Sequence, residues 1–336
     1  MNFSILNTTT SSVNITRSLP SDIIYITISV ISSTSAFILN CLVMIHSIRN
    51  RRNQNATSHL IRNLIMANIL SSFIWIIIMV IMIKAKQAGW PLTLMHYTCQ
   101  LGLFFWLICY TASVATLTLV SIERYHAIIH PTRPRLQGFK LNSILVIIWV
   151  SSIIVPIPIL FVASVDKVLK FDCMVSIENS SSFFFFHIIF IDIVDYLLPS
   201  CIMIYCYVRV VKRLKQTSIN ALRNKKSISA GERRKKQVVK KLICLTICFI
   251  ATALPWIYSF NLPLIRYNES STPPQGSDLH LEYFIQLIPL LFYLSLFYDP
   301  IFYIVNNRNG GNNQIDNSHS IANRKKFLDK TSATGP

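Results

Sequence analysis

Charged side chains are scarce in this sequence: only 14% of its 336 residues are Asp, Glu, Lys or Arg, whereas 52% are hydrophobic. A soluble globular domain normally carries about a quarter charged residues, so the composition excludes that class. The hydrophobic residues form seven runs, each long enough to cross about 30 Å of bilayer core as a helix. The runs lie at residues 23–48, 60–83, 98–124, 141–163, 185–211, 238–261 and 281–305. The sequence therefore predicts an all-α membrane protein, a bundle of seven transmembrane helices.

Acidic side chains are especially few, with 14 Asp and Glu against 32 Lys and Arg, and the net charge is +18. The basic residues divide unevenly between the two sides of the predicted membrane domain. The side of the N-terminus has six of them: Arg17, Lys84, Lys86, Lys167, Lys170 and Arg266. Because loops rich in Lys and Arg stay in the cytoplasm, this predicts an outer N-terminus and a cytoplasmic C-terminus. The asymmetry accounts for the positive charge, so no nucleic-acid partner is predicted.

Residues 1–22 lack the basic-then-apolar layout of a cleaved signal peptide, so the first span is expected to act as the insertion signal. Sequons of the N-x-Ser/Thr type on the predicted outer side are candidate glycosylation sites. These are Asn2, Asn7, Asn14, Asn179 and Asn268. We therefore expect an extracellular glycosylated segment at 1–22, a membrane domain at 23–305 in contact with lipids, and a polar, disordered cytoplasmic tail at 306–336.

Two of the eight cysteines stand apart from the others. Six lie within the predicted spans, where small packing residues are expected. Cys99, at the outer end of span three, and Cys173, between spans four and five, face the oxidising side. Two cysteines in that compartment most simply form one disulfide, and the alternative is a pair of free thiols.

The third span ends in the triplet Glu123-Arg124-Tyr125, within the segment SIERYHAIIHP at 121–131. Cys99 and Arg124 are 25 residues apart, which corresponds to about 37 Å of helix. One helix therefore carries the outer cysteine at one end and the triplet at the other, where Glu123 can neutralise Arg124. Any helix can end in such a triplet, but this spacing in a chain of seven spans is specific.

Further motifs occur in order along the spans, and with the triplet they resemble the rhodopsin-like G-protein-coupled receptors over roughly residues 23–305. They are Asn40 in LNCLVM, NLIMANIL at 63–70, Trp149, Pro199 with Tyr207 eight residues later, FIATALP at 249–255 and DPIFY at 299–303. The resemblance implies a non-enzymatic receptor of the plasma membrane, without a cofactor, that couples to a heterotrimeric G protein. The coupling and switch residues it implies are Glu123, Arg124, Tyr125, Tyr207, Lys235, Pro255, Asn68, Asp299, Pro300 and Tyr303.

Activation in the family moves the inner end of span six outward. The resemblance implies that Arg124 then leaves Glu123 and approaches Tyr207, while Tyr303 swings inward. Lys235 stands where many relatives have an acid that restrains the arginine. Because Lys235 would repel Arg124, appreciable ligand-free activity is predicted.

Two other departures from the family pattern concern span six and the tail. Ala253 replaces the aromatic residue that usually precedes the span-six proline by two positions, so an aromatic rotamer switch is not expected. Gly310–Gly311 argues against an amphipathic eighth helix.

Asp299 lies inside the seventh hydrophobic run, where an acid costs about 2.5–3.5 kcal/mol and therefore indicates function. In most relatives span two holds the aspartate and span seven the asparagine, whereas this chain has Asn68 and Asp299. If the two helices face each other as in the family, Asp299 lies opposite Asn68, with Asn40 and Ser113 nearby. This predicts a polar core pocket. Relatives bind sodium there, so Asp299 is the candidate sodium ligand, and no other metal site is predicted.

Asp192 and Asp195 are three residues apart on span five, so on an α-helix they share a face. Aromatic residues accompany them as ligand-binding candidates: Trp106, Tyr110, Trp256, Tyr258 and Tyr293. An aromatic cavity with acids suits a cationic ligand. The alternative is aromatic packing around acids that are protonated or bonded to each other.

The predicted ligand is a peptide with a basic residue, and a small cationic amine is the alternative. Trp106 occupies the place of the amine-binding aspartate of aminergic receptors, and Tyr293 that of the retinal-binding lysine of opsins, so a light sensor of that type is excluded. Two further alternatives are a receptor-like protein that has lost coupling and a transporter or channel with an acidic ion path. No inverted repeat supports the transporter.

Overall fold

The computed structural model describes residues 19–49, 56–132, 136–165, 173–175, 182–223 and 230–269, together with positions 296, 297 and 300. The helices in these ranges are α1 (Leu19–Arg49), α2 (Ala56–Gln87), α3 (Leu92–Ile129), α4 (Phe139–Ile154), a short α5 (Ile159–Val162), α6 (Ser182–Asp192), α7 (Leu198–Arg223) and α8 (Ala230–Glu269). A π-helical turn, Ile193–Leu197, joins α6 to α7.

Six segments of the described chain are long and apolar enough to cross a membrane. They are Thr27–Arg49, Ala56–Ile81, Leu92–Ile129, Phe139–Phe161, Phe185–Asn220 and Lys236–Pro255. The first six predicted spans are thus confirmed. The seventh, at 281–305, lies outside the described residues except for Leu296, Phe297 and Pro300, which are helical.

A small antiparallel hairpin adds to the predicted all-α fold. β1 (Ala163–Val165) pairs with β2 (Cys173–Val175), with Ser164 opposite Met174. Both strands contact α3, so the hairpin covers one end of the central helix. This end of the bundle is called the hairpin end below, and the opposite end, to which α3 brings Arg124, is called the Arg124 end.

Local sequence explains where several helices stop. After α2 the chain turns through Gly89, whose φ of +64° lies in the left-handed region that suits glycine. Pro91 precedes α3, and its carbonyl accepts the N–H of Leu94 at 3.0 Å. At the far end of α4, Pro156 and Pro158 have no N–H to donate, so the helix gives way to turns before α5.

The π-helical turn between α6 and α7 ends two residues before Pro199. The N–H of Leu198 donates to the carbonyl of Ile193, five residues back. Pro199 cannot donate to the carbonyl of Asp195, four residues back, so the regular α-helical pattern is interrupted there. The wider turn accommodates the interruption without ending the span.

The helix α3 is the centre of the bundle and contacts α2, α4, α5, α7 and the hairpin. At the hairpin end, Leu103, Trp106 and Leu107 of α3 pack with Ile78 of α2 and Ile188 of α6. Gly102 makes the approach of α2 possible, because a Cβ there would lie 2.6 Å from Ile78 Cδ1. At the Arg124 end, α3 packs against α7 and α8 around Leu117, Met203 and Leu245.

Candidate functional site

The Glu123 carboxylate binds two partners at the Arg124 end. Arg124 Nε lies 3.4 Å from Glu123 Oε2, and the side chains are 27% and 8% exposed, respectively. The hydroxyl of Thr57, in the first turn of α2, donates to the same oxygen at 2.8 Å. The local neutralisation expected from the sequence is therefore present, and a second helix takes part in it.

Tyr207, on α7, reaches the same end of α3 through Ser121. The buried hydroxyl of Ser121 donates to the Tyr207 hydroxyl at 2.8 Å. Ser121 lies three residues before Arg124, so the phenol is held about one helical turn from the arginine. Tyr125 instead faces Tyr205 of α7, with ring centroids 6.1 Å apart.

The helix α8 meets α3 and α7 through an apolar layer. Ala253, at the place of the usual aromatic residue, is buried in this layer near Phe249. The ring of Phe249 lies 6.3 Å from that of Tyr196. Pro255 is half-buried within α8, which continues beyond it to Glu269. The Lys235 side chain lies outside the described part, whereas the neighbouring Lys236 Nζ donates to Ser218 Oγ of α7.

Asn40 ties α1 to the seventh predicted span. Its side-chain amide donates to the carbonyl of Leu296 at 3.0 Å and to that of Ala36 at 2.9 Å. Pro300, four residues after Leu296, is buried and has no N–H for that carbonyl. A carbonyl freed by proline in a membrane helix needs another donor, and Asn40 provides one.

Asn68 and Ser113 meet in the core as expected from the sequence. Ser113 Oγ donates to Asn68 Oδ1 at 3.4 Å, and Ser72 Oγ donates to the Asn68 carbonyl at 2.8 Å. Asn68 itself is buried. The other predicted members of this switch, Asp299 and Tyr303, lie outside the described residues.

A polar cross-link that sequence reasoning missed joins α2, α3 and α4. Trp149 Nε1 donates to Asn63 Oδ1 at 3.0 Å, and Asn63 Nδ2 donates to Thr116 Oγ1 at 2.8 Å. Trp149 and the NLIMANIL segment, which contains Asn63, were recognised as motifs. Nothing in the sequence linked them through Thr116.

Asp195, in the π-helical turn, is a buried acid with 4% of its surface exposed. The hydroxyl of Thr111 on α3 donates to its Oδ2 at 2.8 Å. Asp192, at the end of α6, is half-buried. Both carboxylates lie near the phenol of Tyr110. The structure thus brings two predicted acids and one predicted aromatic residue together, with Thr111 as an added partner.

An aromatic stack continues from this group toward α2. The rings of Trp106 and Tyr110 are stacked, with centroids 5.6 Å apart and planes 8° apart. The ring of Trp75 lies 6.1 Å from Trp106. Trp106 is only 3% exposed, so it supports Tyr110 from within the core. The three other predicted aromatic contributors have side chains outside the described part: Trp256, Tyr258 and Tyr293.

The described cysteines agree with the predicted separation of two outer cysteines from six cysteines within the spans. Cys99 is buried and disulfide-bonded. Cys173 opens β2, which contacts α3, but its side chain lies outside the described part. The free cysteines are Cys41, Cys109, Cys201, Cys206, Cys244 and Cys248. Of the predicted sequons, Asn268 lies in the last turn of α8, and Asn2, Asn7, Asn14 and Asn179 fall outside the described ranges.

In comparisons with known proteins, the chain matches a receptor family and individual receptors. The model of the 7 transmembrane receptor (rhodopsin family) matches residues 39–303. The QRFP-like peptide receptor of Branchiostoma floridae is 27% identical over 228 residues, which are 63% of this chain and 57% of the relative. The Substance-P receptor of Homo sapiens is 28% identical over 218 residues, 62% of this chain and 50% of the relative. Neuropeptide FF receptor 1 of Rattus norvegicus is 25% identical over 297 residues, 80% of this chain and 64% of the relative. The matched regions thus cover about half to two thirds of each relative's length.

Proposed function

Because the chain belongs to the rhodopsin family of seven-transmembrane receptors, we propose that it transmits the binding of an extracellular ligand to a heterotrimeric G protein. Binding would promote nucleotide exchange on the G protein, and the receptor has no enzymatic chemistry of its own. It would lie in the plasma membrane, with residues 1–22 outside and residues 306–336 in the cytoplasm. The distribution of Lys and Arg supports this orientation.

The observation that carries the proposal is the arrangement at the Arg124 end of α3. Glu123 neutralises Arg124 within one helix, and Thr57 fixes the carboxylate to α2. Tyr207 is held near the arginine by Ser121. The Glu123–Arg124 pair suits a closed state in which Arg124 is withheld from a partner. In an open state, Arg124 would leave Glu123 and turn toward Tyr207, exposing a cleft for a helix of the G protein.

A ligand acts on such a pair of states by binding one of them more tightly. The acids near Tyr110 favour a ligand with a positive charge. Asp192 is the more accessible of the two, since Asp195 is buried and bonded to Thr111. We therefore propose Asp192 as the first contact for the basic group and Asp195 as a deeper partner.

A peptide ligand is favoured over an amine. The names of two relatives, QRFP-like peptide receptor and Neuropeptide FF receptor 1, refer to peptides. Trp106, at the place of the amine-binding acid, is buried and stacked on Tyr110, so it offers no charge to an amine. The hairpin next to α3 supports a Cys99–Cys173 disulfide, which would hold the outer loop beside the ligand.

Nucleotide exchange with added ligands tests the proposal. Synthetic peptides containing Arg or Lys, and a set of amines, would be applied to cells that express the full chain with a panel of G proteins. We expect exchange in response to a basic peptide and loss of that response in Asp192→Asn at equal surface expression. Leu197→Met, at an exposed apolar position of the same span, is the control. Ligand-driven ion flux without exchange would overturn the receptor proposal, whereas an equal response in Asp192→Asn would overturn only the ligand contact.

A further inference from the structure

His126 and His130 form a pair at the end of α3 that the proposed receptor mechanism does not use. Residues four apart on an α-helix lie on the same face. The ring centroids are 5.9 Å apart, with 40° between the planes. His130 is the C-cap residue directly after α3, with φ and ψ of −122° and 67°, and its N–H donates to the carbonyl of His126 at 3.0 Å. This backbone hydrogen bond holds His130 about one turn from His126, and the observed ring separation brings both imidazoles within reach of one ion.

The surroundings restrain the pair without enclosing it. The ring of Tyr125 contacts both imidazoles edge-on, with centroids 5.4 Å from His126 and 5.8 Å from His130. The His126 side chain is exposed and that of His130 is half-buried. One side of the pair is thus packed, while solvent and dissolved ions reach the other.

We propose that His126 and His130 form a bidentate site for a divalent transition-metal ion that binds imidazole, with Zn²⁺ as the representative ion. Imidazole nitrogens suit zinc, copper and nickel, whereas magnesium and calcium prefer oxygen. Two histidines at this helical spacing are a recurring metal-binding arrangement. The last carbonyls of α3 add a partial negative charge that favours a cation there.

The site has two protein ligands. Within the described ranges no cluster of three His, Cys, Asp or Glu residues could hold a metal, so water would complete the coordination. A site of this kind binds and releases its ion readily, unlike a closed structural zinc site with four protein ligands. It would bind zinc less well at low pH, because protons compete for the imidazole nitrogens.

The alternative is an aromatic cluster that only packs the helix end, since Tyr125 also contacts Tyr205 of α7. The two interpretations differ in a measurable way. Chelation requires both imidazoles at the helical spacing, whereas packing does not require any particular nitrogen. Metal binding can be measured without a G protein or a ligand, so this inference stands independently of the proposed function.

Zinc titration of the purified full chain, carrying an affinity tag without histidine, tests the site. Isothermal titration calorimetry should show a zinc site in the wild type that is lost in His126→Ala and in His130→Ala. The matched control is the double variant His130→Ala, Thr132→His, which keeps the number of histidines but places them six residues apart. Thr132 is exposed, so the control should fold, and it should also lack the site.

Thermal unfolding provides the second readout. A ligand that binds only the folded state raises the unfolding temperature. We expect zinc to raise it for the wild type and to leave that of each variant unchanged, each protein being compared with itself in the absence of zinc. Zinc binding in His126→Ala equal to that of the wild type would overturn the proposal, as would a site retained in the control with altered spacing.

Discussion

The side-chain amide of Asn40 donates to the carbonyl of Leu296 at 3.0 Å, and that carbonyl lies four residues before Pro300. The proline has no N–H for it, so a side chain of α1 takes the place of the missing backbone donor. The bond connects the first helix with the seventh predicted span beside Pro300, one of the switch residues that the family resemblance implies.

The variant Asn40→Ala should leave the Leu296 carbonyl without this donor. A buried polar group that loses its partner costs about 1–3 kcal/mol, so the free energy of unfolding should fall by that order. In a Pro300→Ala background, the restored N–H can bond the carbonyl within the helix, and Asn40→Ala should cost less there. The wild type, the two single variants and the double variant form a double-mutant cycle, which is measured by unfolding the four purified proteins in detergent. Equal losses in the two backgrounds would show that Asn40 acts through another contact, such as Ala36.

The variant Thr57→Val should lower ligand-free nucleotide exchange. Within the described residues Glu123 has two partners, Thr57 and Arg124, on the same oxygen. When Thr57 cannot donate, separation of Arg124 leaves a nearly buried carboxylate alone, and the open state becomes less favourable. Thr57→Ser keeps the donor and is the control. A rise in exchange for Thr57→Val at matched surface expression would refute this role.

The variant Gly102→Ala should destabilise the contact between α2 and α3. The added Cβ would lie 2.6 Å from Ile78 Cδ1 and 2.8 Å from Ile78 Cγ1, so the Ile78 side chain or one of the two helices must shift. Overpacking of this kind costs about 1–3 kcal/mol. Ile78→Ala removes both atoms, so in that background Gly102→Ala should cost less than it does in the wild type. Thermal unfolding of the four proteins checks this, and an equal cost in the two backgrounds would mean that the clash lies elsewhere.

Lys235→Glu should lower ligand-free exchange, because the family resemblance implies that an acid at this place would pair with Arg124, whereas a lysine would repel it. Lys235→Gln removes the charge without adding an acid and should give an intermediate rate. Exchange on the most responsive G protein, at equal surface expression, is the measurement. A wild-type rate no higher than that of Lys235→Glu would contradict the prediction.

The sequence was sufficient to predict features that depend on composition and on motifs. Runs of apolar residues located the first six spans, because the hydrophobic requirement of a bilayer is a property of each segment alone. The contact between Asn68 and Ser113 followed from the family resemblance. The Glu123–Arg124 pair followed from adjacency on one helix end.

Contacts that depend on how helices rotate against each other were missed. Thr57, Ser121, Thr111 and Thr116 each donate to a side chain on another helix or receive a bond from one. A hydroxyl in a membrane helix often bonds its own backbone, as Ser121 and Thr116 also do, so the sequence does not distinguish the residues that bridge helices.

The sequence also did not predict the places where the backbone departs from regular α-helix. The α-helical spacing assigned Asp192 and Asp195 to one face, but a π-helical turn begins between them, and they differ in burial. Pro199 explains why the regular pattern fails there, yet a proline alone does not specify a π turn. Likewise, nothing in the composition of 163–175 predicted the hairpin, whose three-residue strands are stabilised by their place against α3.

The central claim is that α3 carries a G-protein switch at Arg124. The most direct test is ligand-free nucleotide exchange on a panel of G proteins, with the wild type compared with Arg124→Ala at matched surface expression. We predict that the wild type exceeds the variant on at least one G protein, which would then serve as the assay for the ligand. If both proteins gave the same background rate of exchange on every G protein of the panel, the result would contradict a receptor that couples to a G protein and is partly active without ligand.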